Sequence, residues 1–199
     1  MKHLLITGFD PFGGGSVNPA WEAVSRLPDT IGNYRLTKLQ IPTVFGAAAA
    51  AVLAAAAADP ADVILCVGLA ASRDAVTPER IAVNIRDARS KGTRDNAGFL
   101  AQGEPCAPSG PAAYFSTLPV ENMTQVIRAA GLRAAVSNTA GTFVCNDTMY
   151  LLLHEYAHTA TRVGFIHVPP LPQQGEENAP CMSLEDTIKA LSIAISILR

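Results

Sequence analysis

The sequence lacks the features that mark membrane, secreted and nucleic-acid-binding proteins. Only 16% of its 199 residues are charged and the net charge is −2, which excludes the strongly basic surface that favours nucleic acids or anionic membranes. Apart from an alanine tract, no run approaches the roughly 20 apolar residues of a membrane span. The apolar run at the N-terminus is too short for a signal peptide. The four cysteines lie far apart without a CxxC pair, so we interpret them as free thiols and expect a cytoplasmic protein.

Hydrophobic residues make up 49% of the chain, enough for one ordered core. Neither a composition break nor an internal repeat divides it, so we predict a single domain over residues 1–199. Short β-branched runs alternate with helical segments, which is typical of α/β layering. The predicted strands are His3–Thr7, Arg35–Ile41, Asp62–Val67, Ile81–Ile85, Leu132–Ser137 and Arg162–Val168; the predicted helices are Pro19–Leu27, Gly46–Ala58, Pro119–Ala130, Cys145–Ala157 and a last helix from Ser183.

Three local patterns refine this outline. Gly46–Ala58 is almost entirely alanine, the best helix former, and Asp59-Pro60 supplies a stop, so a packed helix is predicted there. Ser183 with Asp186 three residues later is a capping-box pattern. Residues 86–116 are rich in turn-forming residues and lack periodicity; long loops of this kind tend to be functional.

Cys145 stands where a run of small residues after a predicted strand gives way to a helix. The first turn of a helix has free N–H groups and a partial positive charge, which lower the pKa of a thiol and can hold an oxyanion. The position therefore suits a thiolate nucleophile. A small, inert, buried cysteine at a helix start would have the same local pattern.

A cysteine nucleophile needs a base and a group that orients the base. Of the four histidines, His3 opens the first strand and is interpreted as structural, whereas His167 ends a strand, where α/β sheets place ligand-binding residues. A histidine satisfied within the core is the alternative. Glu79 precedes a predicted strand and is a candidate orienting carboxylate; alternatively it is a surface residue paired with Arg80.

Two motifs point to other functions. His154-Glu-Tyr-Ala-His158 matches the HExxH pattern of zinc metallopeptidases, with Glu176 and Glu177 downstream as possible third ligands. These histidines fall in the last turns of the predicted helix, where exposed histidines also suit the helix dipole. The glycine loop Gly8–Ser16 follows a strand but lacks the spacing of a phosphate or dinucleotide motif. Its Phe9 and Phe12 could clamp a small flat ring or pack in the core, and a non-catalytic small-molecule binder remains an alternative.

Several stretches together resemble the pyroglutamyl peptidase I family of cysteine peptidases. They occur in the family's order from residue 6 to about residue 173, and the glutamate and cysteine motifs are long and specific. The matching stretches are Ile6-Thr-Gly-Phe-Asp-Pro-Phe-Gly-Gly, Asn18-Pro-Ala-Trp-Glu, Thr77-Pro-Glu-Arg-Ile-Ala-Val-Asn84, Asp87-Ala-Arg89, Ser137-Asn-Thr-Ala-Gly-Thr-Phe-Val-Cys145-Asn and Gly164-Phe-Ile-His-Val-Pro169.

The resemblance implies a three-layer α/β/α sandwich around a mixed, mostly parallel sheet, often assembled as a homotetramer. It implies a triad of Cys145 as nucleophile, His167 as base and acid, and Glu79 orienting the histidine, acting without metal or cofactor on peptides with an N-terminal pyroglutamyl residue. It further implies an oxyanion-site role for Arg89 and a substrate-ring pocket formed by Phe9, Phe12, Thr43, Phe143 and Val144, with Asn18 nearby.

Two positions depart from the family pattern. The loop Gly68-Leu-Ala-Ala-Ser-Arg73 lacks the glutamine and paired glycines typical of the family, so that Leu69 stands in an altered loop. Ser90 stands where an aliphatic residue usually contacts the substrate ring. These departures concern substrate affinity more than the triad.

Overall fold

Four parallel strands form the middle of the central sheet in a computed structural model of the chain, in which residues 1–90, 92–174 and 180–198 are described. The sheet has six strands in the order β2-β3-β1-β4-β10-β5. Strands β3, β1, β4 and β10 run parallel, while the two short outer strands β2 and β5 are antiparallel to their neighbours. Their bounds are β1 Lys2–Phe9, β2 Thr30–Ile31, β3 Tyr34–Ile41, β4 Val63–Leu69, β5 Thr77–Pro78 and β10 Arg162–Val168.

Side chains that alternate along the strands supply two separate cores, one on each face of the sheet. On β1, Leu4 and Ile6 belong to one core and Leu5 and Phe9 to the other. Strands covered on both faces carry continuous apolar runs, as β1 and β4 do. One face is covered by α1 Pro19–Ser25, α3 Val120–Ala129 and α5 Leu184–Ser196, and the other by α2 Ala47–Ala58 and α4 Val144–Glu155. The predicted three-layer, mostly parallel α/β/α sandwich is confirmed.

Helix starts follow the capping chemistry of the sequence. The Ser183 hydroxyl accepts a hydrogen bond from the Asp186 N–H at 3.0 Å, which confirms the predicted cap of α5. Asn18 caps α1 by accepting from the Ala20 N–H at 3.1 Å, and Pro19 occupies the first helical position, where no N–H is needed. Among the described residues, no helix is long and apolar enough to cross a membrane.

The predicted strand Leu132–Ser137 is wrong. This segment makes only isolated bridges, from Ala134 to Val76 and from Ser137 to Glu79. Its partner β5 is two residues long and Pro78 within it has no N–H to donate, so a continuous ladder cannot form.

Two segments outside the central sheet also differ from prediction. Strand β6 covers only Ile81–Val83 and pairs outside the central sheet with β9, Ala113–Phe115. Residues 86–116, predicted as a loop, also contain β7 Arg86–Asp87 paired with β8 Gln102–Glu104. The β7–β8 ribbon is short and polar, and therefore carries little hydrophobic periodicity by which sequence could reveal it.

Candidate active site

The carboxyl ends of the parallel strands meet at one edge of the sheet, beside a cavity of about 640 Å³. This edge is where open α/β sheets bind ligands. Leu69 at the end of β4 and His167 near the end of β10 both line the cavity, as does Cys145. Residues far apart in sequence are therefore brought together by the parallel topology.

Cys145 is the second residue of α4, as the sequence predicts for a helix-start thiol. The first intrahelical N–H to find an acceptor is that of Asp147, which donates to the Phe143 carbonyl at 3.1 Å. The N–H groups of Val144, Cys145 and Asn146 precede it in the first turn, where helices leave donors without intrahelical partners. Such donors can stabilise an oxyanion beside the sulfur.

Gly68 of β4 makes room for the Cys145 sulfur. A Cβ at Gly68 would lie 3.0 Å from Cys145 Sγ and 2.8 Å from the ring of Phe165. Gly68 is also the register partner of His167 on the neighbouring strand, and the two residues point to the same face of the sheet. The thiol is therefore held over the β4–β10 pair and lines the same cavity as His167.

His167 is held by Glu79. Its Nδ1 lies 2.7 Å from Glu79 Oε1, both side chains are buried, and Glu79 is fully shielded from solvent. Strand β5 sets this contact, because Thr77 pairs with His167 and the Glu79 N–H donates to the Phe165 carbonyl at 2.9 Å. With Nδ1 facing the carboxylate, Nε2 is the nitrogen left to exchange a proton with a thiol.

The expected lowering of the pKa of Cys145 is wrong. Burial, reinforced by the nearby Glu79 carboxylate, raises the pKa of this thiol to about 12, although the Arg73 guanidinium opposes the shift. Desolvation of the thiolate is the largest cause of this shift. The resting sulfur is therefore a protonated thiol, and its attack requires that a base remove the proton.

The sequence-predicted pocket residues divide into two groups. Phe9, Phe12, Asn18, Thr43 and Phe143 line the cavity, together with Leu69 and Ser90 from the positions that depart from the family pattern. Val144 is fully buried in the core beneath the cavity instead. Arg89 is outside the cavity lining and its guanidinium contacts the Asp87 carboxylate, with Nη2 and Oδ2 2.6 Å apart.

Arg73 is a site residue that the sequence analysis missed. Its Nη1 lies 2.6 Å from Glu79 Oε1, so the carboxylate has its ion pair here and not with Arg80. Arg80 instead contacts Glu121 and Asn138. No helical or strand spacing relates residues 73 and 79, because the turn between them is irregular. The sequence therefore carries no pattern that predicts their ion pair.

The HExxH pattern does not form a zinc-binding face. Helix α4 ends at Glu155, not at Ala157 as predicted, because Tyr156 is the C-cap. His158 therefore lies beyond the helix, while His154 Nδ1 is 2.8 Å from the Tyr114 hydroxyl. Glu176 and Glu177, the possible third ligands, lie outside the described residues.

The glycine loop after β1 contains Asp10, whose negative charge would repel a bound phosphate. Asp10 accepts from the Thr43 N–H at 2.7 Å and from the Asn96 side-chain amide at 3.1 Å. Asn18 donates to the Asp10 carbonyl at 2.9 Å. The loop is thereby fixed as one wall of the cavity, with Phe12 held 6.0 Å from the ring of Phe143.

A thiol at a helix start, beside a histidine whose other nitrogen meets a buried carboxylate, is the arrangement of a cysteine-type hydrolase. The family of pyroglutamyl peptidases has a sequence model that matches residues 2–199. The pyrrolidone-carboxylate peptidase of Levilactobacillus brevis is 50% identical over 196 residues, which cover 96% of this chain and 95% of the relative. That of Escherichia fergusonii is 48% identical over 199 residues, with 98% and 92% covered.

Solved structures agree with the sequence comparison. Pyroglutamyl peptidase I from Bacillus amyloliquefaciens is similar at a TM-score of 0.93 and 44% identity, over 98% of this chain and 96% of that one. The pyrrolidone carboxyl peptidase of Thermococcus litoralis has a TM-score of 0.91 and 36% identity, over 98% and 92%. The chain belongs to the pyroglutamyl peptidase family.

Replacement of Gly68 by alanine tests the packing of the sulfur. We expect Gly68→Ala to slow alkylation of Cys145 by iodoacetamide at least tenfold and to destabilise the fold by about 1–3 kcal/mol, because the buried Phe165 ring has nowhere to move. Urea unfolding and the alkylation rate measure the two effects. Gly15→Ala is the control, since its Cβ would meet its nearest atom at an ordinary 3.4 Å. Unchanged alkylation in Gly68→Ala would contradict the placement of the sulfur.

Proposed function

We propose that the protein hydrolyses the N-terminal pyroglutamyl residue from peptides, with Cys145 as nucleophile, His167 as base and acid, and Glu79 as the carboxylate that orients His167. The observation that carries this proposal is the 2.7 Å contact between buried Glu79 and His167 Nδ1, beside the cavity that Cys145 also lines. Family membership supports the same reaction.

The proposed reaction begins with transfer of the thiol proton of Cys145 to His167 Nε2 as the sulfur attacks the pyroglutamyl carbonyl carbon. A carbon–sulfur bond forms, and the carbonyl electron pair becomes an oxyanion that the first-turn N–H groups of α4 stabilise. When the oxyanion collapses, the carbon–nitrogen bond breaks and the leaving amine takes the proton from His167. Water then attacks the thioester carbonyl carbon as His167 accepts its proton; the carbon–sulfur bond breaks, pyroglutamic acid is released, and His167 returns the proton to the sulfur.

Transfer of the proton during attack follows from the electrostatics of the site. A thiol with a pKa of about 12 is almost fully protonated at neutral pH. A neutral imidazole next to it removes the proton as the new bond forms, and the resulting imidazolium lies against the Glu79 carboxylate. The positive charge that develops on His167 is thus compensated without solvent.

The cavity suits a small ring without a free amine. Phe12 and Phe143 supply apolar walls, while Asn18 and Thr43 add polar groups at the same end. A pyroglutamyl group has a lactam in place of an ammonium and fits such a slot, whereas an open-chain residue would bury its charge there without a partner. Leu69 and Ser90, at the positions that depart from the family pattern, also line this cavity. We further propose that Phe9 fixes the wall from within the core, since it is almost fully buried against Phe165.

Two finer properties are also proposed. All four cysteines are free, as thiols are in the reducing cytoplasm, and this supports a cytoplasmic location. Family resemblance supports assembly as a homo-oligomer, specifically a homotetramer. A zinc peptidase or a non-catalytic binder is less well supported, because His158 lies beyond the end of α4 and because a thiol and an imidazole held by a carboxylate line the same cavity.

An assay with a pyroglutamyl-fluorophore substrate tests the nucleophile. We expect fluorophore release to be abolished by iodoacetamide and to persist with a metal chelator. Cys145→Ser should lose activity by at least about a thousandfold, because a serine hydroxyl is a much weaker nucleophile in this role. Cys181→Ser is the matched control and should retain activity. Full activity of Cys145→Ser, or inhibition by the chelator alone, would contradict the proposal.

Variants of the base and of the orienting carboxylate should differ in degree. His167→Ala removes the proton acceptor and should nearly abolish turnover. Glu79→Gln leaves the imidazole in place, so a residual activity about a hundred times that of His167→Ala is expected. Steady-state kcat of both variants on the same substrate measures the difference. If Glu79→Gln retained the activity of the unmodified chain, Glu79 would have no orienting role.

A further inference from the structure

Arg73 links three segments that meet at the site. It lies in the turn between β4 and β5 and lines the cavity. Its Nη1 donates to Glu79 Oε1 and to the Thr77 hydroxyl, both at 2.6 Å. Its Nη2 donates to the Thr139 carbonyl at 2.9 Å, in the turn that leads to Cys145. One guanidinium thus contacts β5, the Glu79 carboxylate that follows this strand, and the turn that leads to the thiol.

Arg73 and His167 share one carboxylate oxygen. Glu79 Oε1 receives both Arg73 Nη1 at 2.6 Å and His167 Nδ1 at 2.7 Å, whereas Oε2 has no hydrogen-bond partner among the described residues. The Glu79 side chain is fully buried and that of Arg73 is 26% exposed. A permanent positive charge and a titratable ring therefore contact the same carboxylate oxygen in a poorly solvated place.

The shared oxygen links the charge of Arg73 to the protonation of the imidazole. A buried carboxylate with an imidazole as its sole partner would favour the protonated imidazole, since an unpaired buried charge is unfavourable. A guanidinium stays charged at all accessible pH values. With Arg73 in place, the carboxylate is already compensated, and the imidazole can be neutral with its Nε2 lone pair available to the thiol.

We propose that Arg73 is a positioning residue that keeps His167 neutral, and therefore basic, at the pH where the enzyme works. This inference rests on the proposed function, in which His167 is the base. It adds a fourth member, acting through Glu79, to the three groups that perform the chemistry.

Neighbouring charges do not duplicate this role. Arg80 contacts Glu121 and Asn138, and Asp74 contacts Arg133 at 3.5 Å. Two more groups near the site are Asp87, which lines the cavity and is bound by Arg89, and the Cys66 thiol, whose pKa burial raises to about 12. Among the described residues, Arg73 is the one cation in contact with Glu79. It also opposes the burial that raises the pKa of Cys145.

The sign of the expected pH effect follows directly. Loss of the positive charge makes a proton on the Glu79–His167 pair more favourable, whichever of the two holds it. The base-competent form then appears at higher pH. The acidic limb of the pH profile should shift upward by about one unit, within the range that a single nearby charge produces.

The experiment compares Arg73→Met, Arg73→Gln and Arg73→Lys with the unmodified protein. Two quantities are measured against pH: kcat/KM on the pyroglutamyl-fluorophore substrate, and the rate of Cys145 alkylation by iodoacetamide. We expect both neutral variants to move the acidic limb of both profiles upward by about one unit and to reduce kcat/KM at pH 7 by up to about tenfold, the most that a one-unit shift can produce. Arg73→Lys should keep the limb near its original position, because the charge remains.

Arg133→Met is the matched control. It removes a positive charge beside Asp74, the residue after Arg73, without touching Glu79, and both profiles should keep their limbs. The use of two neutral variants guards against a fold defect in one of them. A uniform loss of rate with unshifted limbs, or an equal shift in Arg73→Lys, would overturn the inference. If the unmodified protein does not cleave the substrate, the proposed function fails, while the alkylation profile still tests Arg73.

Discussion

The hydrogen bond between buried Glu79 and His167 is the constraint on which the site depends. A carboxylate fully shielded from solvent is stable only where partners compensate it. Strand β5 positions this carboxylate. It pairs antiparallel with the end of β10, and Glu79, the residue after β5, thereby reaches His167. The short outer strand thus matters less for extending the sheet than for placing one carboxylate.

The rest of the edge is arranged around this pair. Gly68 leaves the space that the sulfur occupies, and α4 begins where Cys145 can meet that space. The glycine loop after β1 is fixed through Asp10 and Asn18 and presents Phe12 to the cavity. Strand and helix backbone therefore positions the thiol and the imidazole. The glycine loop supplies an apolar wall of the cavity. Desolvation raises the pKa of the thiol, so the proposed attack requires a base that removes its proton.

Sequence predicted the elements whose patterns are local. Arg162–Val168 was predicted with its observed bounds, and the cap at Ser183 followed from side-chain chemistry within four residues. The position of Cys145 at a helix start also followed from a local pattern, the run of small residues before the helix. What sequence could not supply was contact between distant segments. The pairing of residues 132–137 failed because it depends on the length of β5, and the ion pair of Arg73 with Glu79 left no periodic pattern. Family resemblance named the residues of the triad, but their relation to Gly68 and Arg73 required the fold.

The central claim is that Cys145 forms a covalent thioester with the pyroglutamyl group. The most direct measurement is acid quenching of the enzyme during turnover, followed by mass spectrometry of its peptides. The account predicts a transient adduct with the mass of one pyroglutamyl group on the peptide that contains Cys145, absent from Cys145→Ser. Rapid turnover without any adduct, or an adduct on another residue, would contradict it.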